Sequence, residues 1–496
     1  MTDHSRGLMV DNLSVRDAAG ESLVTSFSLS LPAGSLHVIL GESGAGKSLI
    51  CAAIAGTLSP DLKCSGRVVL DDVELSALSP RERRSTWSRD VFLLPQEPWT
   101  ALAPARSLVS QVADMPRLHA YESRRTAHAS AASLLSSLGL FSKQDHAKKP
   151  WQLSGGMAQR ACVATALGAP ARLILVDEPT KGLDADRRRE VAEALKVFVE
   201  GGRTVIVVTH DLALASMLGG SASILRAGAV VERGETASIL TQPTTSYAKE
   251  LVDADPMRWQ RPAFVAGERV AALSNVNVRA GVNGPLIAER FTLDVCAGEI
   301  VGLVGPSGSG KTTIGDILLK LRRHDGGEVT WSTAHRRQYQ KIYQNPGAAF
   351  ADWRTLEATV NDALPSDLPS SVGRDRVDAL LRQVGLTSAI LSRRPHQVSG
   401  GELQRVCLVR CMLCDPLFIF ADEPTSRLDA LTQKSVMRLI ATAVEERRLG
   451  VLLVSHDEDL VRQMTRRFAR LERLNSDARS TSAAATETQM RSREDA

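Results

Sequence analysis

At 496 residues the chain is long enough for two domains of ordinary size, and its 43% hydrophobic and 23% charged residues are those of ordinary soluble globular protein. A formal net charge of +4 lends no electrostatic support to nucleic-acid binding. No apolar run approaches the roughly 18 residues of a spanning helix, the start lacks the apolar core of a signal peptide, and seven cysteines in so long a chain are no disulfide framework, so the chain is expected in the cytosol with membrane contact made through partners.

Residues 1–36 alternate polar and apolar side chains between Gly and Pro turns, which predicts a short antiparallel sheet. The apolar run His37-Val-Ile-Leu40 then meets Gly41-Glu-Ser-Gly-Ala-Gly-Lys-Ser48, which fits G-x-x-x-x-G-K-[ST], and residues 49–58 read as the helix that follows. In such a loop the glycines let successive N–H groups point at one anion, and the helix N-terminus adds partial positive charge. Gly41, Ser43, Gly44, Gly46, Lys47 and Ser48 are therefore candidate nucleotide ligands, with Lys47 reaching the β- and γ-phosphates and Ser48 holding Mg²⁺.

Gly66–Leu75 reads as a further strand pair, and Val91–Leu94 as a strand that gives way to a loop at Gln96. Residues 107–148 are helical in character. Leu153-Ser-Gly-Gly-Met-Ala-Gln-Arg160 opens a helix with Ser154 as its cap. Two continuous apolar strands follow: Leu173–Val176 delivers Asp177-Glu178, and Thr204–Val208 delivers Thr209-His210-Asp211. Such runs suit parallel strands covered on both faces.

Residues 1–240 thus form a first domain and 241–268, proline-bearing with little periodicity, a linker. Residues 269–474 repeat the pattern: Gly305-Pro-Ser-Gly-Ser-Gly-Lys-Thr312, then Gln344, Ser399-Gly-Gly401, Asp422-Glu423 and Ser455-His456-Asp457. Ser154 to Asp177 is 23 residues and so is Ser399 to Asp422; Asp177 to His210 is 33 against 34 for Asp422 to His456. Lys311 to Gln344 is 33 residues against 49 for Lys47 to Gln96, so part of the antiparallel region is trimmed in the second copy. The tail, 475–496, has a disordered composition. Gly305, Ser307, Gly308, Gly310, Lys311 and Thr312 take the roles of their counterparts. Cys407, Cys411 and Cys414 fall on one helical face among Val406, Val409 and Leu413, and are read as core rather than metal ligands.

Asp177 and Asp422, at strand ends, can bind Mg²⁺; Glu178 and Glu423 can polarise a water for attack on the γ-phosphate. His210 and His456 can hold that water, and Gln96 and Gln344 can sense Mg²⁺ and the γ-phosphate. The two Ser-Gly-Gly segments, Ser154-Gly155-Gly156 and Ser399-Gly400-Gly401, add a second phosphate-gripping surface to domains that already have one. Two domains facing head to tail would use both.

On these motifs nearly the whole chain resembles the ATP-binding cassette (ABC) ATPases. The resemblance implies an α/β fold: two tandem P-loop NTPase domains, each a mainly parallel sheet with helices, an antiparallel β subdomain and a helical subdomain. It also implies composite ATP·Mg²⁺ sites pairing Lys47 with Ser399 and Lys311 with Ser154, the cassettes pairing within one chain. Two departures stand out. The aromatic residue that family members place before the P-loop to stack on adenine is missing from Leu13–Asp17 and Val276–Ala280, which leaves Val15/Arg16 and Val278/Arg279 as platforms. The loop after Asp-Glu is Ser426-Arg-Leu-Asp429 in the second copy but has Gly182 before Leu183-Asp184 in the first.

Gln96-Glu-Pro-Trp-Thr-Ala-Leu-Ala-Pro104 and Ile239–Leu251 look like segments of peptide and nickel importer ATPases. That likeness implies two transmembrane permease subunits as partners, a substrate-binding protein acting indirectly, and a peripheral place on the cytoplasmic face of the inner membrane. With no cysteine in 241–268, no iron–sulfur cluster is expected. A ribosome-associated tandem cassette, which needs a long charged helical linker, and the fused ATPase of a vitamin or metal-ion importer are the alternatives. The cargo stays open among peptide, nickel and other metal chelates.

Overall fold

Period-two alternation and continuous apolar runs build two kinds of sheet in each half of the chain. The computed structural model describes residues 7–471 apart from 96–97, 120–121, 154, 181–184, 280–283, 307, 334, 366–367 and 427. The chain divides into two compact units, Met1–Asp253 and Ala254–Ala496. The expected disordered tail, 475–496, lies outside the described residues.

In the first unit β1 (Gly7–Arg16), β2 (Ser22–Pro32), β4 (Lys63–Leu70) and β5 (Val73–Glu74) form an antiparallel sheet in the order β2-β1-β4-β5. β1 buries Leu8, Val10, Leu13 and Val15. The change of phase between Val10 and Leu13 is a bulge at Asn12, whose φ of 51° is a conformation that asparagine tolerates well. The second sheet runs β10-β9-β3-β8-β7-β6, with β3 Leu36–Gly41, β6 Val91–Leu94, β7 Leu173–Asp177, β8 Thr204–Thr209, β9 Ser221–Arg226 and β10 Ala229–Glu235. All its pairings are parallel except β9–β10. Every residue of β3 and β8 is buried, as strands covered on both faces must be. The helix Lys47–Ala55 packs Ile50 and Ile54 against Leu173, Leu175 and Ile206, and stops at Gly56 in the left-handed region (φ 72°).

The second unit repeats this plan. β11 (Arg269–Arg279), β12 (Leu286–Cys296) and β14 (Glu328–Trp331) pair in the order β12-β11-β14, again with a bulge at an asparagine, Asn275 (φ 52°). β13 (Ile300–Val304), β15 (Tyr339–Ile342), β16 (Phe418–Asp422), β17 (Gly450–Val454) and β18 (Arg467–Arg470) form a fully parallel sheet in the order β15-β16-β17-β13-β18, which is the order β6-β7-β8-β3-β9 of the first unit. Among the described residues there is no equivalent of β5 or of the helix Pro80–Thr86, so the shortening falls on the antiparallel side. Cys407 and Cys411 lie in the core on the helix Gly400–Leu413.

Residues 241–268 differ from their loop-like expectation. Thr245 caps a helix, Ser246–Val252, that buries Tyr247, Ala248, Leu251 and Val252, and the Glu232 carboxylate anchors the entry by accepting from Thr244 N and Thr245 N at 2.9 Å each. Farther on, Phe264 joins the core of the second unit. Among the described residues, no helix is long and apolar enough to cross a membrane.

Candidate functional site

The glycine-rich loops open at the carboxyl ends of β3 and β13, where open parallel sheets place their ligands. A Cβ on Gly41 would come 2.4 Å from Leu225 O, and one on Gly305 2.4 Å from Leu471 O, so only glycine lets each loop leave its strand. Gly46 (φ 94°) and Gly310 (φ 100°) make the left-handed turn into the helix. Inside each loop the lysine folds back: Lys47 Nζ donates to Gly41 O and Glu42 O at 2.8 Å each, and Lys311 Nζ to Gly305 O at 2.7 Å and Pro306 O at 3.0 Å. Both ammonium groups are thereby held at the centre of the loop.

The acidic pairs stand at the ends of β7 and β16. Past Asp177 and Asp422 the chain turns sharply, with Glu178 at φ 49° and Glu423 at φ 52°, a region that costs a non-glycine residue energy. The turn is pinned by Glu178 N donating to Val208 O at 2.8 Å and Glu423 N donating to Val454 O at 2.9 Å. It aims each buried glutamate at the next strand end, where the histidines sit. There Asp211 N donates to Thr209 Oγ1 (3.0 Å) while Asp211 caps the helix Leu212–Leu218; Asp457 N donates to Ser455 Oγ (3.1 Å) while Asp457 caps Glu458–Met464. His210 and His456 are each fixed between such a hydroxyl turn and a capped helix.

The two copies differ in what surrounds the glutamate. In the first, Lys47 Nζ lies 3.8 Å from Glu178 Oε1 and His210 Nδ1 lies 2.7 Å from Glu178 Oε2. Burial alone would raise the Glu178 pKa, but the His210 hydrogen bond and the Lys47 charge outweigh it and hold it below the usual carboxylate value. Burial likewise pulls His210 down, and its bond to Glu178 more than restores it. In the second copy His456 Nε2 stands 3.3 Å from Glu423 Oε1, and burial pushes Glu423 up to about 7. Burial also lowers Lys311 and raises Asp422.

Lys311, Thr312, Gln344, Asp422, Glu423 and His456 line one cavity of about 400 Å³. Thr312 Oγ1 donates to Asp422 Oδ1 at 3.2 Å. A hydroxyl and a carboxylate side by side are the hard oxygen donors that Mg²⁺ takes beside phosphate and water, so this pair fits the ion. Ser48 is exposed at the first turn of its helix.

Ser399 is not among the residues that line this cavity. It caps the helix Gly400–Leu413 in a box with Glu402: Ser399 N and Oγ both donate to Glu402 Oε2 at 2.8 Å, and Glu402 N donates to Ser399 Oγ at 3.2 Å. Ser399 and Gly400 are exposed. Gln96, Ser154, Ser307 and the 182–184 loop lie outside the described residues; Gly155 and Gly156 begin the helix Gly155–Gly168.

The adenine platforms need correction. Val15 and Val278 point into the cores of their units, leaving only Arg16 and Arg279 exposed. Another residue reaches the second cavity instead: Arg322, whose guanidinium donates to Thr313 Oγ1 and Arg279 O at 3.1 Å each. The basic run Lys320–His324 after the P-loop helix was the available signal.

The ABC transporter family profile matches residues 24–181 and again 288–426. The chain is similar to the glutathione import ATP-binding protein GsiA of Shigella dysenteriae serotype 1 and of Escherichia coli O157:H7, 30% identical to each, over 94% of this chain and 85% of theirs. A solved archaeal structure, the ribosome recycling factor aABCE1 in complex with ribosomal stalk protein aP1, aligns with a TM-score of 0.65 over 95% of this chain and 88% of that one; at 20% identity this likeness is one of fold.

Proposed function

The chain belongs to the ABC transporter family as a tandem ATP-binding protein, and from that premise we propose that it is the energy-coupling subunit of an importer of peptides or metal chelates. As a member of this family it binds ATP and is an ATPase coupled to transport. The observation that carries the import reading is the 30% identity to a glutathione import ATP-binding protein, which spans both copies rather than one cassette.

In this reading the loop amides with Lys47 and Lys311 grip the phosphates. Ser48 with Asp177, and Thr312 with Asp422, would hold Mg²⁺, which would supply positive charge against the phosphates. Glu178 and Glu423 take a proton from the attacking water, which His210 and His456 orient, and Gln96 and Gln344 relay occupancy outward. Ser154-Gly155-Gly156 and Ser399-Gly400-Gly401 close on the nucleotide of the opposite cassette, so Lys47 works with Ser399 and Lys311 with Ser154. That Ser399 is exposed and does not line the cavity of its own unit supports this assignment. Joining both cassettes in one chain raises their effective concentration for each other. Two permeases receive the closing motion on the cytoplasmic face of the inner membrane, and a substrate-binding protein presents the cargo to them.

The test is a mild-detergent purification of the chain from its own cells. Two multi-span membrane proteins are expected to accompany it. Ribosomal subunits without membrane proteins would overturn the transport reading while leaving the ATP sites standing.

A further inference from the structure

In the first unit the strand before Gln96 and the helix after the P-loop carry Leu93 and Ala52; counting from Gln344 and from Thr312 places Lys341 and Asp316 at the same positions of the second unit. An apolar pair in the first unit is replaced by an ion pair in the second. Lys341 Nζ lies 2.6 Å from Asp316 Oδ1 and 3.9 Å from Asp422 Oδ2, with 10% of its side chain exposed. It also sits 5.1 Å from the ring centres of both Tyr343 and Phe420, whose faces attract a cation. The other oxygen of Asp422 accepts from Thr312 Oγ1 at 3.2 Å.

We propose that Lys341, steered by Asp316, is a positioning residue that sets the divalent-cation affinity of the second nucleotide site. The proposal rests on the reading of Thr312 and Asp422 as the holders of Mg²⁺. A fixed ammonium beside a carboxylate that must hold a divalent cation repels that cation and shares the carboxylate's charge; the leucine of the first unit does neither. Asp316 moderates the effect by drawing Nζ to 2.6 Å from itself while Asp422 stays at 3.9 Å. Without Asp316 the ammonium settles on Asp422. The two sites of one chain therefore load Mg²⁺-nucleotide at different Mg²⁺ concentrations, the first at the lower.

The experiment measures equilibrium binding of a fluorescent ATP analogue to the full chain as Mg²⁺ is titrated, with Lys47→Ala disabling the first site. Lys341→Met keeps the methylene stem and removes the charge, and is expected to lower the Mg²⁺ midpoint about fivefold. Asp316→Asn should raise it, and the double variant should match Lys341→Met, because Asp316 acts through the ammonium. Loosened packing would move both single variants the same way, so opposite shifts identify the electrostatic role. Shifts in one direction, or none, while the Lys47→Ala parent still binds the analogue, overturn the proposal alone. Failure of that parent to bind any nucleotide overturns the reading of the second site and the proposal with it.

Discussion

His210 Nδ1 lies 2.7 Å from Glu178 Oε2, within charge-assisted hydrogen-bonding distance, whereas the same pair in the second unit, His456 Nε2 and Glu423 Oε1, stands 3.3 Å apart. The first glutamate is held ionised and the second is poised near neutrality, its carboxyl pushed up to about 7 by burial. A base must be deprotonated to accept a proton, so activity falls as pH drops through its pKa. With Glu178→Gln silencing the first site, the remaining ATPase activity is expected to lose half its value near pH 7. With Glu423→Gln instead, the acid limb should lie well into the carboxylate range. Superimposable profiles would show that the two glutamates work in equal environments.

The same shift makes a stability statement. A carboxyl whose folded pKa is raised binds more protons folded than unfolded, so the second unit loses stability as pH rises from the ordinary carboxylate range through about 7. Glu423→Gln, neutral at every pH, should flatten that slope. Hydrogen exchange of the β16 and β17 amides at several pH values reads it within the second unit alone.

Both sites carry a glutamate and a histidine, so both are expected to hydrolyse ATP. Glu178→Gln and Glu423→Gln should each abolish turnover at their own site, a loss of about a hundredfold there, and remove a large share of the whole chain's steady-state rate. Full activity in either single variant would confine hydrolysis to the other site.

Without an aromatic stack, the base is left to less selective surfaces. Arg322 lines the second cavity, where the first unit has Leu58 at the matching position. Hydrolysis of ATP and GTP at comparable rates is expected, and Arg322→Ala should weaken both nucleotides at the second site by about three- to tenfold. A strict preference for ATP, unchanged in that variant, would place base recognition elsewhere.

What was legible in the sequence is what repeats. Two P-loops after apolar strands, two Asp-Glu pairs 23 residues after a Ser-Gly-Gly, and two histidines at the next strand end located the sheets and most candidate ligands, because each follows from a local pattern. Tyr247, Ala248, Leu251 and Val252 were missed as a helix because seven residues between prolines carry scarcely two turns of periodicity. The family's spacing before the P-loop picks out Val15 and Val278 but not the face each takes: a bulge at Asn12 or Asn275 shifts the alternation by one residue, and both valines turn inward. The contact of Lys341 with Asp422 joins residues 81 positions apart, and no local pattern foretells it.

The contact between the P-loop helix and the neighbouring strand is packed differently in the two copies. A Cβ on Gly315, in the helix after the second P-loop, would lie 2.1 Å from Phe420 Cζ on β16, so the ring fills the space a side chain would need. The first unit solves the same contact differently, with Cys51 on the helix and Leu175 on β7. In the second unit the helix residue is smaller and the strand residue larger, so the combined volume changes little, which cores tolerate far better than a one-sided change. Gly315→Cys alone should therefore cost about 1–3 kcal/mol through overpacking, and Phe420→Leu alone about 1–2 kcal/mol through the space it leaves. Gly315→Cys with Phe420→Leu rebuilds the pair of the first unit, so its cost should fall below the sum of the single changes by about 1 kcal/mol or more. Denaturant unfolding of the four members of that cycle reads the coupling directly. Simple additivity would mean that the helix moves away from β16 to admit a side chain, and that the P-loop helix of the second unit is not fixed by Phe420.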